Sequence, residues 1–410
     1  MKVIREFSDE EFILNAKRCG VFAFDVEHSP SVDCSSPLFE ENFWGVGLAT
    51  FRGDEILASF YRDLDAVGRI MTALDDCEAV AYNGKYDMKC LKALGMPCAY
   101  PANLFDPMVA VNLLEDSRRP NQLGLKIVVK DYYKYEMAVF KDASSHGPDS
   151  KEFSRYAVDD VVWEIILWKD LKPKLVAQKL DNLFYKILMP VSRVFADMEF
   201  IGMRWDSNVA RELLLKFADM REHIRKEIIE QIGELNLNSG DQIATRLFED
   251  LGYSSRGIEM TKSGSRFSTD SKAMATLAKK YPVCDKIVKY RMCEKMLGTY
   301  IEPLTRRALE DPLSRIHPTY WLVSSTGRTR CEKPNLQNLP AYMPEEFGDI
   351  SIRKCFVPES GRKLIVADLS QIELRLMAHI SKDEKFLSAY VGWECKSCNS
   401  SGVESDHILQ

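Results

Sequence analysis

The sequence predicts an α/β domain at the N-terminus, a helix-rich middle region, and a C-terminal segment that mixes strands with helices. Three observations carry this prediction. Short apolar runs alternate with helical periodicity up to about residue 172, and long helical patterns replace them over residues 173–311. From residue 312 onward, strand-like runs stand beside polar, proline-bounded loops. At 410 residues and 46% hydrophobic, the chain is long enough for two or more domains.

The N-terminal elements can be placed in order. Ser8 and Glu11 have the spacing of a capping box, which predicts that a first helix begins there. Three strands are then predicted, at 21–27, 44–51 and 55–61. A helix at 63–74, a strand at 79–83 and a helix at 153–171 follow them. The short turn between the second and third strands predicts an antiparallel hairpin.

Asp25 and Glu27 close the first predicted strand. Side chains alternate faces along a strand, so both carboxylates project from the same face, roughly 6 to 7 Å apart. Such a pair repels itself unless a cation lies between the two groups. Taken alone, however, the pair is more typical of a solvated strand end.

Two later stretches add acids to this pair. Asp87 falls in the first turn of a helix that follows the strand at 79–83. Tyr156 and Asp160 lie four residues apart, hence on one face of the helix at 153–171. Four carboxylates suit two hard divalent ions such as Mg²⁺ or Mn²⁺, an arrangement that serves phosphodiester hydrolysis.

The order and spacing of three segments resemble those of the proofreading 3′-5′ exonucleases of the DEDD class, tyrosine subclass. The segments are Asp25-x-Glu27, Asn83-x-x-Tyr86-Asp87 and Tyr156-x-x-x-Asp160. The resemblance implies a ribonuclease H-like fold, two Mg²⁺ or Mn²⁺ ions held by Asp25, Glu27, Asp87 and Asp160, and a Tyr156 hydroxyl that orients the attacking water. It also implies that Asn83 and Tyr86 lie near a single-stranded 3′ end. Asp106 is more typical of a helix N-cap than of a further acid at that site.

Charge is distributed unevenly along the chain. Residues 1–160 hold 18 Lys and Arg against 27 Asp and Glu, whereas residues 262–308 hold 11 against 4. Four of these basic side chains follow one predicted helix: Lys286, Lys289, Arg291 and Lys295. Since phosphate contacts supply most sequence-independent affinity, this segment could clamp a DNA backbone, with a solvated helical face as the alternative.

The sequence shows no sign of export or membrane insertion. No run approaches eighteen apolar residues, and the N-terminus lacks the apolar core of a signal peptide and is too acidic for a transit peptide. We therefore expect a cytoplasmic protein without membrane contact, whose scattered cysteines are reduced.

Two C-terminal stretches resemble the first polymerase motifs of the family A DNA polymerases. They are Thr326-Gly327-Arg328 with Asn335-Leu336-Gln337-Asn338, and Asp368-x-Ser370-Gln371-Ile372-Glu373-Leu374-Arg375. From the sequence, 364–368 is a buried strand ending in an acid, and a helix starts beside Glu373. The resemblance implies that Asp368 is one of two palm carboxylates for catalytic metals and that Glu373 screens the sugar of the incoming nucleotide. It further implies that Arg328, Asn335 and Gln337 contact primer-template DNA.

The chain departs from that family where the nucleotide-binding helix and the second palm acid should follow. One acid cannot run two-metal phosphoryl transfer, so we expect the exonuclease activity alone from this chain. A split polymerase completed by a C-terminal fragment, an interrupting element and a truncated frame all remain open. We expect four parts: an exonuclease domain at 1–172, a helical thumb at 173–311, a partial palm at 312–392 and a divergent tail at 393–410.

The tail contains Cys395 and Cys398, a Cys-x-x-Cys pair that resembles half of a zinc ribbon. Zinc would bind only if other sequence supplied the remaining ligands, and His407 is a weak candidate for one of them.

Two further function classes also stay open. One is a stand-alone DEDD exonuclease of the ribonuclease D kind acting on RNA, and the other is a non-catalytic DNA-binding subunit of a split polymerase.

Overall fold

The computed structural model describes residues 2–29, 40–115, 118–324, 326–340 and 351–390, together with the backbone of 393–394 and 401–402. Contacts divide the chain into two units, Met1–Val357 and Pro358–Gln410. Within the described residues, no helix is both long and apolar enough to span a membrane.

A six-stranded mixed sheet lies at the centre of the N-terminal half. Its strands are β1 (Lys2–Ile4), β2 (Val21–His28), β3 (Phe43–Arg52), β4 (Glu55–Tyr61), β5 (Glu78–Val80) and β6 (Asn103–Phe105). Their order is β1-β4-β3-β2-β5-β6, with β3 antiparallel to both β2 and β4 and the remaining neighbours parallel. The predicted hairpin of β3 and β4 is therefore confirmed, and β2, which carries Asp25 and Glu27, lies inside the sheet.

Seven helices accompany this sheet among the described residues up to 177. They are α1 (Asp9–Cys19), α2 (Leu64–Ala73), α3 (Lys85–Ala93), α4 (Pro107–Leu114), α5 (Leu125–Tyr133), α6 (Phe140–Ser144) and α7 (Lys151–Ala177). Ser8 caps α1 by accepting a hydrogen bond from the backbone N–H of Glu11 at 3.2 Å, as its spacing predicts. One continuous core joins the sheet to all of these helices except α6, and the fully buried Phe12, Phe24 and Phe105 belong to it.

Gly47 sets how closely α7 approaches β3. A Cβ added at this position would lie 2.9 Å from both the carbonyl oxygen of Ala157 and the Cγ1 of Val161. Only a residue without a side chain allows such close contact between the helix and the strand. This packing brings Tyr156 and Asp160 of α7 to the face of β2.

Helices replace strands after residue 180, as predicted. They are α8 (Asp181–Leu183), α9 (Met189–Ile201), α10 (Ser207–Ile232), α11 (Gly240–Ala244), α12 (Ser271–Ala278), α13 (Val283–Lys295) and α14 (Glu302–Glu310), with π-helical turns at Phe184–Leu188, Thr245–Asp250 and Met296–Ile301. A second apolar core, which includes Trp205, Phe217 and Ile287, holds α10 to α14 together.

Two short strand pairs accompany these helices. β7 (Met203–Arg204), which lies between α9 and α10, pairs with β8 (Arg315–Ile316), and β9 (Thr319–Trp321) pairs with β10 (Arg330–Glu332). The strand-like alternation of residues 315–322 thus forms two strands that join different partners. Pro318, which has no backbone N–H to donate to a ladder, separates them.

In the unit Pro358–Gln410, the described helices are α15 (Ile372–Ser381) and α16 (Glu384–Ser388). Glu373 falls in the first turn of α15 as predicted, but the buried strand predicted at 364–368 is wrong. These residues form no strand, and Ile365 and Val366 are 92% and 91% exposed. Because a strand is stabilised by a hydrogen-bonded neighbour, an apolar run alone does not produce one, and no described strand pairs with this segment.

The tail is described only through a short backbone pairing. β11 (Trp393–Glu394) runs antiparallel to β12 (Ser401–Gly402). Cys395, Cys398 and His407 lie outside the described residues.

Candidate metal centre

Three carboxylates from two elements meet at the surface of the sheet. Asp25 and Glu27 of β2 and Asp160 of α7 offer oxygen atoms that all lie within 4.8 Å of one another. Glu27 and Asp160 are buried, at 5% and 6% exposure, while Asp25 borders the adjoining cavity. Strand alternation aligns the first two acids, and the packing of α7 against β3 adds the third.

The cluster has the properties of a cation site. Within the described residues, Glu27 Oε1 and Asp160 Oδ1 are buried without a hydrogen-bond partner. Burial and the repulsion of neighbouring carboxylates raise the pKa of Asp25 well above its ordinary value and that of Glu27 to about 8, and burial raises the pKa of Asp160 to about 6. A divalent ion would satisfy the unpartnered oxygens and offset the repulsion, so this donor set fits a hard metal.

Asp87 lies beside the cluster rather than within the group of mutually close oxygens. It sits in the first turn of α3, as predicted, and its Oδ1 accepts a hydrogen bond from the backbone N–H of Val26 at 2.9 Å. Its carboxyl contacts that of Asp25, and burial raises its pKa to about 7. The predicted fourth acid is therefore adjacent to Asp25, with one of its oxygens already engaged by the backbone.

Tyr156 stands at the edge of the cluster. Its hydroxyl hydrogen-bonds with Asp160. Burial raises the pKa of the Asp160 carboxyl, and this hydrogen bond offsets part of that rise. Burial and the surrounding acids raise the pKa of Tyr156 itself, so its phenol stays protonated at neutral pH. Lys126 donates a second hydrogen bond to the Tyr156 oxygen at 3.2 Å, from a position 4.3 Å above the ring centroid.

The sequence analysis missed two ionisable groups at this site. Lys126, in the first turn of α5, lines the same cavity and lowers the pKa of both Glu27 and Asp160. Glu164, one turn after Asp160 on α7, is 1% exposed and accepts a hydrogen bond from the backbone N–H of Tyr82 at 3.2 Å. Glu164 could have been predicted from its four-residue spacing from Asp160, which places both on one face of α7. No pattern in the sequence around Lys126 indicated that it lies at this site.

A cavity of about 450 Å³ opens beside the acids. Its lining combines acids of β2 and α7 with the start of α5: Asp25, Val26, Glu27, Tyr82, Gly124, Leu125, Lys126, Ile127, Tyr156, Asp160 and Glu164. The cavity therefore offers a ligand an acidic floor and one basic side chain.

Asn83 and Tyr86 occupy the turn and first helical residues between β5 and the acid Asp87. Asn83 has a left-handed backbone with φ of 57°, and its N–H donates to Asp106 at 3.0 Å. Asp106 also accepts from the backbone N–H of Met108 at 2.9 Å, so its expected role as the N-cap of α4 is confirmed. Tyr86 hydrogen-bonds through its hydroxyl with the Nε2 atom of His28 at 2.7 Å.

The polymerase-like residues are solvent-exposed. Asn335 caps a 3₁₀ turn by accepting a hydrogen bond from the backbone N–H of Gln337 at 3.1 Å, and the Gln337 side chain donates to Thr329 at 3.1 Å. Arg328 is exposed in the loop before β10. In the other unit, Asp368 and Glu373 are exposed as well.

Three of the four basic side chains of α13 are engaged within the protein. Lys286 pairs with Glu227 at 3.0 Å and Lys289 with Asp285 at 2.8 Å. Arg291 is directed inward, where its guanidinium donates to the backbone carbonyls of Leu237 and Thr269. The interpretation of Arg291 as part of a solvent-facing basic row is wrong, because its side chain ties the loops beside α13 together.

Comparisons with known proteins match two separate parts of the chain to two families. Residues 2–176, which contain the acidic cluster, match the model of the 3′-5′ exonuclease family. Residues 207–394 match the model of DNA polymerase family A.

Curated relatives extend over most of the chain. It is 33% identical over 349 residues to DNA polymerase I of Chloroflexus aurantiacus, which covers 79% of this chain and 35% of that protein. It is 31% identical over 318 residues to DNA polymerase I of Treponema pallidum, covering 76% of this chain and 31% of that protein. The chain thus spans about a third of the length of these relatives.

A solved structure shares the fold. It is the POL domain of Pol1 from M. smegmatis in complex with DNA primer-template and dNTP, with a TM-score of 0.76 and 21% sequence identity. The match covers 94% of this chain and 64% of that one. At this identity, the likeness concerns the fold alone.

Proposed function

The chain belongs to DNA polymerase family A, and from this premise we propose that its N-terminal region is a proofreading 3′-5′ exonuclease of ribonuclease H-like fold. The observation that carries the proposal is the acidic cluster, where Asp25, Glu27 and Asp160 bring oxygens within 4.8 Å of one another. Among the residues that the structure describes, two of these oxygens are buried without a hydrogen-bond partner. Such a site is costly without a cation and suited to one.

Asp25, Glu27 and Asp160 would hold the metal, with Asp87 completing the set beside Asp25. Two bound Mg²⁺ or Mn²⁺ ions would supply an activated water and stabilise the charge on the leaving oxygen of a phosphodiester. The protein contributes a rigid arrangement, since two of the acids lie on one strand and Asp160 lies on a helix packed directly against the sheet. Preorganised groups of this kind need no rearrangement during the reaction.

Tyr156 is suited to orient the attacking water. Its phenol stays protonated, and its hydroxyl already contacts Asp160 at the edge of the cluster. A hydroxyl both donates and accepts hydrogen bonds, so the same oxygen can hold a water in one orientation. The substrate is a single-stranded DNA 3′ end, which would lie near Asn83 and Tyr86 at the start of α3.

The C-terminal half would bind primer-template DNA through the exposed Arg328, Asn335 and Gln337. Asp368 would contribute one metal-binding carboxylate of the partial palm, and Glu373 would select the sugar of the incoming nucleotide. Polymerisation then needs a C-terminal fragment or further sequence that supplies the second palm acid. The corresponding parts are the exonuclease domain at 1–172, the thumb at 173–311, the partial palm at 312–392 and the tail at 393–410.

Two further expectations belong to this proposal. The protein would work in the cytoplasm of a bacterial or virus-infected cell, in DNA replication. Zinc would bind Cys395 and Cys398 only if other sequence completed the ligand set.

Hydrolysis of 5′-labelled single-stranded DNA tests the exonuclease. We expect the full chain to release nucleoside monophosphates from the 3′ end with Mg²⁺ or Mn²⁺, and to lose this activity with EDTA. Asp25→Ala and Asp160→Ala should each lower the rate by at least about a hundredfold, because they remove ligands from the cluster. Asp54→Ala, in the exposed turn between β3 and β4, is the matched control and should match the wild type.

The same assay separates the alternatives. Faster hydrolysis of RNA than of DNA ends would favour the ribonuclease D-like exonuclease. Metal-independent DNA binding without any hydrolysis would favour the non-catalytic subunit. Unchanged rates in Asp25→Ala and Asp160→Ala would refute the assignment of the cluster.

A further inference from the structure

Lys126 occupies a position at the acidic cluster that the proposed chemistry leaves unexplained. It lies in the first turn of α5, a helix anchored in the core by the fully buried Val128 and Val129. Its Nζ lies 3.2 Å from the Tyr156 hydroxyl oxygen and 4.3 Å from the centroid of the same ring. The lysine therefore touches Tyr156 twice, through the oxygen and through the face of the ring.

The chemistry of the two groups fixes the direction of their hydrogen bond. A lysine ammonium can only donate, so the Tyr156 oxygen must accept from it. The Tyr156 hydroxyl then donates its hydrogen bond to the Asp160 carboxylate, whose oxygens can accept it. One lone pair of the tyrosine oxygen remains, and Tyr156 lines the same cavity as Asp25 and Glu27.

We propose that Lys126 is a positioning residue of the exonuclease site, which holds the Tyr156 hydroxyl so that its free lone pair accepts a hydrogen bond from the attacking water. This inference rests on the proposed function and assigns Lys126 a role through Tyr156 rather than a direct role in the chemistry. Tyr156 keeps its proton and donates it in a hydrogen bond to Asp160, and no covalent bond forms or breaks at Lys126.

The charge of Lys126 makes an independent prediction about the metal. A cation beside Glu27 and Asp160 repels a second cation, so removing it should leave the Mg²⁺ requirement unchanged or lower it. A mutation that damaged the folding of the site would raise that requirement instead. Loss of rate without a higher Mg²⁺ requirement thus distinguishes positioning from general disruption.

The test compares Lys126→Ala and Lys126→Arg with Lys130→Ala in the single-stranded DNA assay. Lys130 lies one turn later on α5 and pairs with Glu136 at the surface, which makes it the matched control. We expect Lys126→Ala to lower kcat by about 10- to 100-fold with little change in KM, because an oriented hydrogen bond at the reaction centre is lost. Lys126→Arg, which keeps a donor and the charge, should recover part of the rate.

A double-mutant cycle with Tyr156→Phe completes the test. In the Tyr156→Phe background, Lys126→Ala should lower kcat by less than about a further threefold, because both changes remove the same interaction. An equal loss in both backgrounds would overturn the proposal, as would a Lys126→Ala rate equal to that of Lys130→Ala or a raised Mg²⁺ requirement. If the wild type shows no Asp25-dependent hydrolysis, the proposed function itself has failed, whereas normal Asp25-dependent hydrolysis by Lys126→Ala removes only the role of Lys126.

Discussion

Replacing Glu27 by Gln should stabilise the metal-free protein, although it removes a metal ligand. Glu27 is 5% exposed, and burial together with Asp160 and Asp87 raises its pKa from 4.5 to about 8. A carboxyl whose pKa is higher in the folded than in the unfolded state favours folding at low pH. Its contribution to the free energy of unfolding then falls as pH rises from about 4.5 to about 8.

The magnitude follows from these two pKa values. At pH 7.5, this rise in pKa would lower the free energy of unfolding by up to about 4 kcal/mol, because folding keeps the carboxyl largely protonated while the unfolded chain ionises it; at pH 5 the loss is less than about 1 kcal/mol. Glutamine keeps the shape of the side chain and carries no charge at any pH. Since about 1 kcal/mol shifts Tm by roughly 2–4 °C in a domain of this size, Glu27→Gln should raise Tm by several degrees at pH 7.5 and by little at pH 5.

Thermal unfolding in EDTA and in Mg²⁺ measures this effect. The wild type should gain stability from Mg²⁺, and more at pH 7.5 than at pH 5, because only ionised carboxylates bind the ion. Glu27→Gln should lose most of that gain. The exposed Glu6→Gln, on the loop before α1, is the control and should show neither effect. Equal Tm changes at both pH values, or an undiminished Mg²⁺ response in Glu27→Gln, would refute the account of the cluster as a repulsive site relieved by a cation.

Three further changes probe the packing that supports the two halves. Glu199→Ala removes the carboxylate that pairs with two buried lysines and should lower the free energy of unfolding in urea by about 3–5 kcal/mol. A loss below about 1 kcal/mol would contradict the buried pairing. Arg291→Ala removes hydrogen bonds to two backbone carbonyls and should lower the free energy of unfolding by about 1–3 kcal/mol. Lys289→Ala, which loses a surface ion pair, should lower it by at most about 1 kcal/mol. Equal losses would show that both are surface residues. Gly47→Ala should push α7 away from the sheet and lower exonuclease activity. Gly298→Ala is the control and should leave the activity unchanged, because its added Cβ meets no described atom within 4 Å. Full activity in Gly47→Ala would show that the contact at Gly47 does not hold the helix in place.

The sequence was most informative where a single element carries the chemistry. Period-two alternation aligned Asp25 with Glu27, and the four-residue spacing on one helix aligned Tyr156 with Asp160. Helix capping was similarly local, so the roles of Ser8 and Asp106 could be expected from neighbouring residues alone. These patterns depend on backbone periodicity, which holds wherever the element forms.

Local pattern failed where a partner decides the outcome. The apolar run at residues 364–368 predicted a buried strand, but no described strand pairs with this segment, and its side chains are exposed. Arg291 belonged by sequence to a basic helical face, yet its side chain is directed to two backbone carbonyls on other segments. Both outcomes depend on residues distant in the chain, which no local periodicity encodes.

The sequence by itself determined which residues carry the acids, on which elements they lie and to which family the chain is similar. Only the tertiary structure decided that Lys126 lies over Tyr156, that Glu164 joins the buried acids and that Asp87 stands beside Asp25 with one oxygen bound to the backbone. The physical reason is that periodicity fixes the direction of a side chain relative to its own element. The distance between side chains of different elements follows from how those elements pack, as the contact of α7 with Gly47 shows.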